Sequence, residues 1–113
     1  MKIVIAIIQP HRLEQVKEAL YKADVNLSTV SDVLGHGRQL GVTEYYRGNK
    51  ETGNLLRKIR LEIAINDAYL DRTINAICDG AQTGNLGDGK IFVYELTECV
   101  RIRTKERGPA AIG

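Results

Sequence analysis

Residues 59–80 read IRLEIAINDAYLDRTINAICDG, and the plan of half the chain can be read from them. Ile59, Leu61, Ile63 and Ile65 alternate with Arg60, Glu62, Ala64 and Asn66. Apolarity with a period of two is the pattern of a strand buried on one face. Asp67 stands where a helix cap is wanted. Leu70, Ile74 and Ile77 then fall at i, i+4 and i+7 on one helical face, and Gly80 is expected to close that helix. Ile91 to Leu96 follows as a further strand, so this half is a βαβ unit.

The first half repeats the order. Ile3 to Ile8 is an apolar run, β-branched except at Ala6, which reads as a strand buried on both faces. Gln9-Pro10 breaks it. Pro10 opens a helical segment in which Leu13, Val16, Leu20 and Ala23 share a face. Leu27 to Leu34, rich in Thr, Val and Ser, reads as the second strand, and Val100 to Arg103 as a short strand after the last. The order βαββαβ is that of an α+β, ferredoxin-like sandwich. Its two helices cover one face of the sheet only. A first strand apolar on both faces therefore calls for another copy of the chain, and a compact homo-oligomer is expected.

The sequence has 113 residues, 43% hydrophobic and 27% charged, with net charge +2 and two cysteines. That length suits one domain, 1–113. No apolar run approaches the roughly 18–20 residues of a membrane helix, so direct membrane insertion is not expected. The run at 3–8 is too short for a secretory signal and lacks a small-residue cleavage site. Cys78 and Cys99 make one disulfide at most, which is no secreted framework. A cytoplasmic protein is expected. The charge is unevenly placed. Arg38, Arg47, Lys50, Arg57, Lys58 and Arg60 face only Glu44 and Glu51 between positions 37 and 60. Arg101, Arg103, Lys105 and Arg107 stand with Glu106 alone. Two basic segments in a nearly neutral chain suit a local anion site, not a nucleic-acid surface.

Residues 37–57 join two adjacent strands where a hairpin needs only two to five residues. Long connections of this kind are usually functional, although a tolerated surface insertion is the simpler reading. This one is cationic and carries Tyr45 and Tyr46. Thr83 to Lys90 reads TGNLGDGK. Its glycines let backbone N–H groups approach an anion, yet its spacing is not that of a Walker loop, and Asp-Gly is also an ordinary turn. In VRIRT, 100–104, extended chain would set Arg101 and Arg103 on one face, and two guanidinium forks suit phosphate. GHGRQ, 35–39, adds Arg38 as a phosphate donor and Gln39 as an amide ligand, with Lys58 at the far end of the same loop. His11 and His36 have no second ligand at metal spacing, and no arrangement of side chains marks a nucleophile.

Together, GHGRQLGVTEYYRG at 35–48, AQTGNLGDGKIFV at 81–93 and VRIRT at 100–104 resemble the PII signal-transduction family of trimeric nitrogen-status sensors. The resemblance runs from Met1 to about Thr104. It implies a homotrimer in which 37–57 is the partner-binding T-loop, 82–90 the nucleotide-binding B-loop and 101–113 a C-terminal segment. It also implies an ATP or ADP site in the cleft between neighbouring subunits. Arg38, Gly87, Asp88, Gly89, Lys90, Arg101 and Arg103 match positions that hold the nucleotide, mostly its phosphates. Thr29, Gly35, Gly37, Glu62 and Ala64 match positions around the base, ribose and cleft wall. Gln39, Gly41, Lys58 and Gly87 match the set that binds 2-oxoglutarate with Mg-ATP, and Gln39 is the implied ligand of the magnesium. Tyr45, Tyr46 and Arg47 would meet the target, Arg47 matching the loop-tip arginine that blocks ammonium channels.

Three positions depart from the family pattern. Glu51 stands where many members carry a nucleotidylated tyrosine, and Asn49 where others carry a modifiable serine. Gln9 replaces a lysine or arginine of the 2-oxoglutarate pocket. The expectation is a non-enzymatic sensor that regulates a target through the T-loop. Competing readings are a regulator answering mainly to ATP and ADP, and a slow nucleotide hydrolase.

Overall fold

Strand β1, Lys2–Ile8, is the spine of the sheet. It pairs antiparallel with β3, Leu55–Ile65, on one side and with β4, Gly89–Glu95, on the other. Strand β2, Thr29–His36, pairs with the outer edge of β3, giving the order β2-β3-β1-β4. The computed structural model describes residues 1–36 and 55–113. Gly37, Arg38, Gln39, Gly41, Tyr45, Tyr46 and Arg47 lie outside the described residues, as do Asn49 and Glu51.

Helix α1, Leu13–Lys22, is entered through a 3-10 turn at Pro10–Arg12, and helix α2, Leu70–Ala81, through one at Asp67–Tyr69. Proline suits the first position of such a turn because its missing N–H has no partner to lose there. Both helices lie on one face. Val4, Ala6 and Ile8 with Ile59, Leu61, Ile63 and Ile65 turn toward them, and Val16, Leu20, Ala76 and Ile77 close over these side chains. Each large aliphatic side chain buried in this way contributes roughly 1.5–3 kcal/mol. The α+β ferredoxin-like order expected from the sequence is the one observed. No helix among the described residues is long and apolar enough to cross a membrane.

Several local expectations change. Strand β2 begins at Thr29, not Leu27, and β3 takes up 55–57, which had read as the end of the long loop. Gly80 does not end α2. A Cβ at Gly80 would stand 2.6 Å from the Val16 Cα, so this glycine lets the two helices meet backbone to backbone. Asp67 is not a cap. Its carboxylate takes the Met1 amino group at 2.9 Å and the Lys2 ammonium at 3.2 Å, two full charges that outcompete a backbone N–H. Val100 to Arg103 is not a strand either. Val100 bridges to Arg107, and the chain between them turns back. Lys105 N–H donates to the Arg101 carbonyl at 2.7 Å, with Lys105 at φ +64°. A short helix α3, Pro109–Ile112, follows.

Candidate functional site

The segment 83–88 curls because one carboxylate gathers its donors. Asp88 accepts from Thr83 N–H at 2.7 Å, from Gly84 N–H at 3.0 Å and from the Thr83 hydroxyl. These bonds, the hydroxyl's first, hold the Asp88 carboxyl below its ordinary 3.8. Gly84 and Gly87 sit at φ +89° and +92°, conformations that glycine adopts without strain. At Gly89 a Cβ would overlap the Ile7 carbonyl oxygen, so β4 can start against β1 only with glycine there. From the other side, Gln9 Nε2 donates to the Gly87 carbonyl at 2.7 Å in a part-buried bond. The loop is thus gripped from inside by Asp88 and from outside by Gln9.

Lys58 belongs to the same end of the sheet. It pairs with Val33 and lies beside Gly35, where a Cβ would be 3.9 Å from the Lys58 Cγ. It is 6% exposed. Continuing the register of Ile8 with Ile59 sets Gln9 next to Lys58. Gly35, Lys58, Gln9 and Gly87 to Lys90 therefore gather where β1 ends and β4 begins.

The face away from the helices is graded. One row across the strands is Ser31, Arg60, Ile7 and Lys90; the next is Thr29, Glu62, Ile5 and Phe92; then come Ala64, Ile3 and Tyr94. It is cationic toward the Gly87 end and apolar toward the other. Phe92 and Tyr94 are half exposed.

The remaining candidates gather at that other end. Thr29 pairs with Glu62, whose carboxylate holds Arg60 at 3.1 Å, and Ala64 pairs with Ile3. Asn66 Nδ2 donates to the Pro109 carbonyl at 3.2 Å, tying α3 to the end of β3. Arg101 then reaches Glu106 at 2.7 Å and the carbonyls of Ala110 and Ala111 at 3.2 and 3.4 Å. Arg103 is exposed on the turn. A cavity of about 330 Å³ opens here, bordered by Leu27, Ala64, Asn66 and Gly113. The seven residues of β4, at about 3.3 Å each, put roughly 20 Å between the two ends. The structure brings each group together and keeps the two groups apart.

Sequence reasoning missed the anchoring of Arg101 by Glu106 and the Gln9 bond to Gly87. A glutamine just before a 3-10 turn gives no local sign of reaching a loop 78 residues on. Among the described residues no group of three or more His, Cys, Asp or Glu could hold a metal ion, and the magnesium position implied at Gln39 is outside them. Cys78 and Cys99 are free thiols.

A family model described as nitrogen regulatory protein P-II matches residues 1–106. A nitrogen regulatory protein P-II of Rhodospirillum rubrum is 50% identical over 112 residues, 99% of this chain and 100% of the relative. Nitrogen regulatory protein P-II 2 of Methanothermobacter thermautotrophicus is 49% identical over 112 residues, 99% and 97% of the two chains. Nitrogen regulatory protein GlnK of Escherichia coli is 46% identical over 112 residues, 99% and 100%.

Proposed function

Because the chain belongs to the P-II family of nitrogen regulatory proteins, we propose that it is a non-enzymatic sensor of ATP and ADP whose site is completed between neighbouring copies. The observation that carries this reading is the division of the candidate residues. Gly87, Gly89 and Lys90 lie at one end of the sheet and Arg101 and Arg103 at the other. A phosphate chain cannot meet both groups in one chain roughly 20 Å long in β4, but it can where one copy's Gly87 end abuts the Arg101 end of the next. The graded open face supports such packing. Phe92 and Tyr94, half exposed, need cover, and a cyclic homotrimer sheet to sheet supplies it. The glycine loop offers N–H groups to phosphate, and the cavity beside Ala64 offers the base an apolar wall.

In the same reading 2-oxoglutarate is the second effector. It would reach Lys58 and Gly87 together with Gln39, Gly41 and Mg-ATP, and bind more weakly for want of a cation at Gln9. Magnesium would supply the positive charge between a dianion and a triphosphate. The effectors act by differential affinity for T-loop states, and the loop, with Tyr45, Tyr46 and Arg47, regulates a cytoplasm-facing target such as an ammonium transporter. Calorimetry with ATP and with ADP, together with steady-state phosphate release, tests the core of this. Saturable binding of both nucleotides without sustained release is expected. Sustained turnover would make the chain a hydrolase, and no binding of either would remove the sensor.

A further inference from the structure

We propose that Gln9 is a positioning residue for the glycine loop, acting as a strut that aims the 87–88 peptide at the anion. Its role in ligand binding rests on the nucleotide reading above. The Gly87 carbonyl and the Asp88 N–H belong to one planar trans peptide and point in opposite directions. Gln9 Nε2 holds that carbonyl at 2.7 Å, so the Asp88 N–H is turned away from Gln9. Gly87, at φ +92°, would otherwise let this peptide flip, because glycine on its N-terminal side sets little steric barrier. The Asp88 carboxylate cannot do the same work. It is engaged on Thr83 and Gly84 and fixes the start of the loop, not the 87–88 plane. Gln9 is itself held, since it precedes the 3-10 turn at Pro10 and accepts the Arg12 N–H on its carbonyl at 3.0 Å. A residue held between the end of β1 and the 3-10 turn thus sets the orientation of a phosphate-facing amide.

The test compares wild type, Gln9→Leu and Gln9→Lys. Leucine keeps the volume and loses the donor, whereas a lysine ammonium can donate to the same carbonyl. ADP and ATP affinities are measured by calorimetry, and the Asp88 amide is followed by NMR relaxation dispersion in the ligand-free protein. Gln9→Leu should weaken ADP and ATP roughly tenfold, the scale of one net hydrogen bond, and give the Asp88 amide a dispersion as its peptide flips. Gln9→Lys should restore both. Wild-type affinity and a wild-type relaxation profile in Gln9→Leu would overturn the strut, as would equal losses in both variants. If wild type bound neither nucleotide, the sensor reading would fall, and the ligand-free relaxation profiles would still decide the strut.

Discussion

Asp88 shows how one side chain can be read correctly in place and differently in use. Its Asp-Gly signal pointed to a turn or a phosphate loop, and its carboxylate makes the turn by holding Thr83 and Gly84. Because these bonds lower its pKa in the folded chain, its contribution to stability is complete above the ordinary value of 3.8, where the unfolded chain is already ionised. It is lost as the pH falls through the lower folded value. Melting temperatures of wild type and Asp88→Ala should therefore differ at neutral pH and converge in acid below 3.8; a gap that stays constant into strong acid would contradict this. Arg101 and Arg103 divide in a similar way. Arg103→Ala should cost one charge-assisted bond, about 1.5–3 kcal/mol, or roughly ten- to a hundredfold in nucleotide affinity, with the melting temperature unchanged. Arg101→Ala should also lower the melting temperature, because Arg101 anchors Glu106 and α3. Equal thermal stability of the two variants would contradict that anchoring.

At the scale of elements, the six segments of the βαββαβ order were legible from local signals: a period in β3 and in α1 and α2, an apolar run in β1 and composition in β2. The alternation at 59–65 matches a buried row from Ile59 to Ile65, and Val16 and Leu20 of α1 are buried as spaced. Legibility failed where a local signal has two tertiary uses. Glycine near a helix end marks either a cap or a close crossing, and Gly80 is a crossing. Thr73, 0% exposed, was absent from the expected α2 stripe because it is polar; its hydroxyl donates to the Tyr69 carbonyl at 2.6 Å, which removes the penalty of burial. The alternation of Val100 to Arg103 mimics a strand, but the hook from Arg101 to Glu106 bends it. Gly80→Ala should push α1 and α2 apart, with Val16 backbone at 2.6 Å from the new Cβ. A destabilisation of about 1–3 kcal/mol is expected in urea unfolding. A midpoint equal to that of wild type would show that the helices do not meet there.

At the scale of the whole molecule, the sequence carried the parts of the site but not their distance. The motifs at 83–90 and 100–104 are only ten residues apart in the chain, yet β4 carries them to opposite ends of the sheet. Nothing in local spacing announces that, because the separation follows from the strand order. The resemblance implied a cleft between subunits, and the proposed site requires one, because a single chain holds its two groups of residues roughly 20 Å apart. The direct test is complementation. Chains carrying Lys90→Glu and chains carrying Arg103→Glu are co-expressed with different tags, and oligomers holding both are isolated. Neither variant alone should bind ATP. In a cyclic trimer of mixed chains, one junction joins an intact Lys90 end to an intact Arg103 end, so calorimetry should find about one ATP site per three chains. Mixed oligomers that bind no ATP, while wild type does, would contradict a site shared between copies.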